Sequence, residues 1–141
     1  MNITAFLADN ALKTENVFYV VSDRFLDEDG NPMKWEIKAI SGDEDDALRR
    51  SCTRRVRTPG KKHLFTSELD TNSYIASLLT ACTVFPNLND AVLQDSYHVK
   101  SADSLLKAML TVGEYQNYVE KVQEVCGFNG TLQDEVDEIK N

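Results

Sequence analysis

The sequence predicts an α+β fold, predominantly helical, in which a small N-terminal β-hairpin or sheet packs with a cluster of short amphipathic helices. Three observations predict it. Two short β-forming segments near the N-terminus flank a stretch dense in turn formers. From Ser41 onward, helix-capping residues recur, each followed by apolar residues at helical spacing. Each of those helices is too short to be stable alone, so they must pack on one another.

The first β-forming segment, residues 17–21, is a β-branched and aromatic run, and Trp35-Glu36-Ile37-Lys38-Ala39-Ile40 alternates apolar with mostly polar residues. Between them lies Asp27-Glu28-Asp29-Gly30-Asn31-Pro32, where Asp29-Gly30 supplies the positive φ a tight turn requires. The alternation of Asp27, Asp29 and Asn31 superficially suggests a calcium loop. It lacks the glycine at the sixth position and the distant bidentate glutamate of an EF-hand, so the turn reading is preferred.

Ser41 with Glu44 three residues on forms a capping box, which predicts a helix from Gly42 or Asp43 into the arginines, stopped by Thr58-Pro59-Gly60. Acids at its start (Asp43, Glu44, Asp45, Asp46) and bases toward its end complement the helix dipole. His63-Leu64-Phe65-Thr66 is expected to add an edge strand to the hairpin. Asp70 caps the next helix, where Tyr74, Ile75, Leu78, Leu79 and Cys82 share a face before Pro86 closes it. Asn89-Asp90 caps a short helix with Val92, Leu93 and Tyr97, and Ser101 caps another with Leu105, Leu106, Met109 and Leu110. Tyr115, Tyr118, Val119, Val122, Val125 and Cys126 form the last long stripe, which Gly127 ends. The expected organisation is one globular domain over 1–130, with the hairpin and basic helix in 1–69 and the helical part in 70–130. Residues 131–141 read as an acidic C-terminal helix or tail.

A chain of 141 residues can bury a real core, and 42% hydrophobic content with 27% charged residues is globular rather than disordered. No apolar run reaches membrane-spanning length, and the N-terminus lacks the pattern of a signal peptide, so a cytoplasmic location is expected. Cys52, Cys82 and Cys126 are odd in number and widely spaced, which fits reduced thiols better than a disulfide framework or a metal clip. His63 and His98 have no neighbours at zinc-ligand spacing, and Gly60-Lys61-Lys62 lacks the rest of a phosphate-binding loop. Neither an enzyme activity, a cofactor nor a metal is expected.

The net charge of −8 argues against a surface built throughout for nucleic acid. The charge is uneven, however: Arg49, Arg50, Arg54, Arg55 and Arg57, with Lys61 and Lys62, form a basic stretch free of acids. A nucleic-acid-binding or regulatory adaptor using this face is the alternative function. The preceding acids and the lack of interleaved aromatics count against it.

Phe85-Pro86-Asn87-Leu88-Asn89-Asp90, Leu93-Gln94, Leu105-Leu106, Gly113-Glu114-Tyr115 and Gly127-Phe128 occur in order, with Trp35-Glu36-Ile37 before them and Ile139-Lys140-Asn141 after. This ordered set resembles the XkdN-like tail assembly chaperones of phages and prophages, over nearly the whole chain. The resemblance implies a non-structural protein of the host cytoplasm, absent from the mature virion, that binds the tape measure protein during tail assembly. It also implies a longer frameshifted form that recruits the tail tube protein, with Lys140-Asn141 marking where slippery codons would lie. Homo-oligomerisation is compatible with this role. The client groove is expected to draw on Tyr115, Tyr118, Val119 and Val122, with Leu132, Val136 and Ile139 of the C-terminal segment.

Overall fold

A computed structural model describes residues 1–128 of the chain. The first sixteen residues form an exposed arm with a single 3-10 turn at Thr4–Phe6. Strand β1 (Val17–Tyr19) then pairs antiparallel with β2 (Trp35–Ile37), placing Phe18 opposite Glu36 and Tyr19 opposite Trp35. The connection between them carries its own tight turn. There the Asp27 carboxylate accepts the backbone N–H groups of Asp29 and Asn31, both at 2.9 Å, and Gly30 takes φ +81°. The expected Asp29-Gly30 turn therefore exists, but at the tip of a longer excursion rather than directly between the strands.

Helix α1 (Gly42–Ser51) begins where its capping box predicts, with the Ser41 hydroxyl accepting from the Glu44 N–H. It ends earlier than expected. The hydroxyls of Ser51 and Thr53 turn back to the carbonyls of Leu48 and Arg49, at 2.7 and 2.6 Å. The next residues form strand β3 (Thr53–Arg57), which pairs antiparallel with β4 (Phe65–Leu69) in five-residue register. The basic stretch is thus part helix and part strand, not one surface helix, and β4 joins β3 rather than the N-terminal hairpin.

The remaining helices start at the expected caps: α2 (Thr71–Cys82) at Asp70, α3 (Ala91–Ser96) at Asp90 and α4 (Ala102–Met109) at Ser101. Helix α5 (Val112–Val125) has a second capping box, made by Thr111 and Glu114. It closes on a Schellman motif: Gly127 has φ +86°, and the N–H groups of Gly127 and Phe128 donate to the carbonyls of Glu124 and Gln123. Helix α2, expected to run until Pro86 closes it, ends instead at Cys82, and the next residues form β5 (Thr83–Phe85). This strand adds antiparallel to β2, giving the sheet order β1-β2-β5.

The core lies between the inner face of this sheet and helices α2, α4 and α5. Trp35 and Ile37 from β2 meet Leu78, Leu79 and Cys82 of α2, Leu105 and Leu106 of α4, and Tyr118 and Val122 of α5, all essentially without solvent exposure. The Trp35 and Tyr118 rings meet edge to face, 5.2 Å apart and inclined at 71°. Apolar contact holds these layers together, and two polar clamps set their register. Tyr74 of α2 donates to Asp45 of α1, while Arg49 bridges the same carboxylate at 2.9 Å and lies over the Tyr74 ring at 4.5 Å. Arg24, in the β1–β2 connection, reaches Glu114 of α5 at 2.6 Å and the Met109 carbonyl at 2.8 Å.

The Glu114 carboxyl is held down to about 2 by the Arg24 guanidinium first, then by hydrogen bonds from Ser22 and the Thr111 backbone. A depressed carboxyl contributes stability above its ordinary value near 4.5 and loses it as pH falls toward 2. Thermal melts of the wild type and Glu114→Gln are therefore expected to differ at pH 6 and to converge between pH 4.5 and 2.

One buried group works against the fold. Gln123 of α5 is 3% exposed, yet neither its side-chain oxygen nor its nitrogen finds a hydrogen-bond partner among the described residues. Leaving a buried amide unpaired costs about 1–3 kcal/mol. Gln123→Met, unbranched and of similar size, is expected to raise the melting midpoint by a few degrees. An unchanged midpoint would mean that water reaches the amide.

Candidate partner-binding surfaces

A holding protein needs exposed apolar surface, so the residues of the expected groove divide according to their burial. Tyr118 and Val122 are fully buried, and the Tyr118 hydroxyl is 2.5 Å from Thr83 Oγ1. They are core residues, because the α5 stripe that carries them faces the sheet and α2. Tyr115 and Val119, on the flank of the same stripe, are partly buried against the core. Leu132, Val136 and Ile139, and with them the C-terminal helix or tail at 131–141, lie outside the described residues.

The exposed apolar side chains lie elsewhere. On the outer face of the three-stranded sheet, Phe18, Glu36 and Phe85 stand side by side across β1, β2 and β5. Phe18 is 61% and Phe85 45% exposed, and neighbouring strands set the two rings about 10 Å apart. Asn16 holds the intervening Glu36 side chain at 2.8 Å. The arm that leads into β1 adds Ile3, Phe6, Leu7 and Leu12, all exposed. Sequence reasoning missed this row because the face of a three-residue strand is decided by its partners, and β5 was not anticipated. The signal available was Val84-Phe85, apolar residues left over between the α2 stripe and Pro86.

The second surface is the β3–β4 ribbon. A type II turn at residues 58–61, with Pro59 and Gly60 (φ +79°) at its centre, joins the strands. Every residue from 53 to 68 is exposed except Val56 and Thr58, so both faces of the ribbon are open to solvent. One face carries Arg55 and Arg57 with Phe65 and Ser67, and the Arg55 guanidinium lies 4.7 Å over the Phe65 ring. On the other face Arg54 stands opposite Glu68. The tip, residues 57–62, curls around a concavity of about 350 Å³. Of the expected basic face, Arg49 is engaged with Asp45 and Tyr74 in α1, Arg50 is exposed on α1, and Arg54, Arg55 and Arg57 project from the ribbon.

The cysteines remain thiols. Cys82 and Cys126 are 3.6 Å apart, and their contact lowers the Cys126 thiol to about 6 while pushing Cys82 up. Among the described residues no group of His, Cys, Asp and Glu is arranged to hold a metal ion, and no helix is long and apolar enough to cross a membrane.

The family described as phage XkdN-like tail assembly chaperone protein, TAC, matches residues 3–140. This chain belongs to that family. Among its relatives, protein YqbN of Bacillus subtilis strain 168 is 29% identical over 99% of this chain and 93% of its own length. The PBSX phage-like element protein XkdN of the same organism is 26% identical over 99% of this chain and 94% of its own. The crystal structure of YqbN superposes with a TM-score of 0.78 at 28% identity, covering 92% of this chain and 98% of that one. Membership among the XkdN-like tail assembly chaperones implies a protein that works by binding rather than by catalysis.

Proposed function

We propose that this tail assembly chaperone binds the tape measure protein in the cytoplasm of the infected or lysogenic host and keeps it soluble until the tail tube forms around it. The observation that carries the reading is the exposed row of Phe18 and Phe85 on the outer sheet face, continuous in sequence with the apolar N-terminal arm. Such a surface suits the apolar stripe of an amphipathic client helix. The net charge of −8 keeps the loaded complex dispersed. Release of the chaperone before the virion is complete, and recruitment of the tube protein by a longer frameshifted product, belong to the same reading.

Co-expression with the tape measure protein of the same phage or prophage tests it. The client is expected to be insoluble alone and to co-purify with the chaperone when both are made. A client whose solubility does not change, with no co-purification, would overturn the reading.

A further inference from the structure

Cys82 and Cys126 carry chemistry that a holding role leaves unused. Cys82 is the last residue of α2 and has no solvent exposure, while Cys126 caps the end of α5 and is half-buried. Though 44 residues apart in sequence, they meet sulfur to sulfur at 3.6 Å. A buried cysteine ordinarily packs as a small apolar side chain and stays inert. These two face each other, whereas Cys52 lies apart from them, its sulfur 3.7 Å from the hydroxyls of Ser51 and Ser77. The pair is also asymmetric. The Cys82 S–H donates to the Cys126 sulfur and the Ile40 backbone N–H faces it, so Cys126 is the member that ionises, against the opposing effects of burial and the Asp45 carboxylate. The same contact, together with its burial, keeps Cys82 protonated.

We infer that Cys82 and Cys126 form a redox-active dithiol: a small hydroperoxide oxidises Cys126, and Cys82 resolves the product into a disulfide within one chain. The half-buried Cys126 is the sulfur an oxidant meets first. Its thiolate attacks one peroxide oxygen, an S–O bond forms, the O–O bond breaks and hydroxide leaves. The Cys82 sulfur then attacks the Cys126 sulfur. The S–S bond forms, the S–O bond breaks, and the Cys82 proton leaves with that oxygen as water. In total the two thiols give up two electrons and two protons, and the peroxide is reduced to two waters. A disulfide bond is about 2.05 Å long, so the sulfurs need approach by only about 1.5 Å. The bond ties the residue before β5, the strand that presents Phe85, to the residue at which α5 ends. In a reducing compartment it is a transient state, reversed by a dithiol reductant. The pair belongs to the free chain, whatever its client.

The test is mass spectrometry of the full native chain, exposed to hydrogen peroxide and then denatured and alkylated. All three cysteines are expected to be alkylated before exposure and Cys52 alone afterwards. The chain should lose about 2 Da, the two hydrogens given up on disulfide formation. Peroxide treatment in urea should instead scatter the bond over every pairing of the three cysteines, because only the fold selects Cys82 with Cys126. Cys52→Ser should form the same disulfide in the native chain. Its oxidised form should melt about 10 °C above its reduced form, since the bond closes a 44-residue loop in the unfolded chain, and a dithiol reductant should reverse the shift. Cys82→Ser should stop at the sulfenic acid on Cys126, where dimedone traps it. Should that variant not fold, the native pairing and the melting shift of Cys52→Ser decide the matter.

A native chain whose three thiols all survive peroxide that oxidises the unfolded chain would overturn the inference. So would a native disulfide that includes Cys52 or joins two chains, or a gain of two oxygens on Cys126 without a disulfide. An oxidised chain that melts no higher than the reduced one would overturn it as well, since the fold would then have to distort to admit the bond.

Discussion

Tyr118→Ala is expected to destabilise the isolated chain by about 3–5 kcal/mol, the range for truncating a buried aromatic side chain. For a protein of this size that lowers the melting midpoint by roughly 10–15 °C. The ring is fully enclosed, meets Trp35 edge to face at 5.2 Å and sits where α5 crosses the sheet. Removing it opens a cavity at the junction of β2, β5 and α5, where backbone from three elements limits collapse. Tyr118→Phe separates the ring from the hydroxyl. Thr83 Oγ1 loses its 2.5 Å contact but keeps a 2.7 Å hydrogen bond to the Leu79 carbonyl, so this change should cost only about 1 kcal/mol. Thermal melts of the two variants without client measure both effects. A Tyr118→Ala chain that melts like wild type would put the residue on a surface instead, as the sequence reading of α5 as a client groove supposed.

That contrast shows what a sequence pattern conveys here. The helix starts at Ser41, Asp70, Asp90 and Ser101 were legible because a cap is a local interaction: one side chain satisfies a backbone N–H three residues on. The T-x-x-E capping box at Thr111 and Glu114 carried the same signal. The α5 stripe was equally legible as an apolar face, but periodicity does not say what covers that face. Tyr118 and Val122 are covered by the molecule itself.

The ribbon was illegible for a different reason. A strand wetted on both faces shows no apolar alternation, and Arg49-Arg50 followed by further arginines continues the charge pattern of a helix. Only the distant partner, residues 65–69, decides that Thr53, Arg54, Arg55, Val56 and Arg57 are extended. Strand β5 was hidden likewise: three residues between a helix and Pro86 become a strand only because β2 lies beside them. What the sequence could not convey was non-local pairing, and both candidate surfaces are built from it.

The outer sheet face should separate function from stability in the opposite sense to Tyr118. Phe18→Ser/Phe85→Ser exchanges two exposed rings for small polar side chains and leaves the β1-β2-β5 backbone pairing in place. Surface changes away from caps, cavities and buried charges usually shift stability by about 0.5 kcal/mol each, so the melting midpoint should fall by only a few degrees. Client holding should suffer far more. Two aromatic anchors at the centre of a contact commonly contribute about 2 kcal/mol each, and losing both weakens binding by roughly a thousandfold. Co-expression with the tape measure protein is then expected to return most of the client to the insoluble fraction, while the variant chaperone itself stays soluble and folded. The arm offers an independent control. Ile3→Ser/Phe6→Ser changes residues that are 70% and 83% exposed among the described residues, so a loss of client solubility from it, with an unchanged melting midpoint, is expected to come from contact with the client. If both double variants hold the client as well as wild type does, the apolar row and arm are not its footprint. The exposed apolar side chains to map next would then be Val92 on α3, at 78% exposure, Val112 at the start of α5, at 77%, and Leu64 and Phe65 on the ribbon.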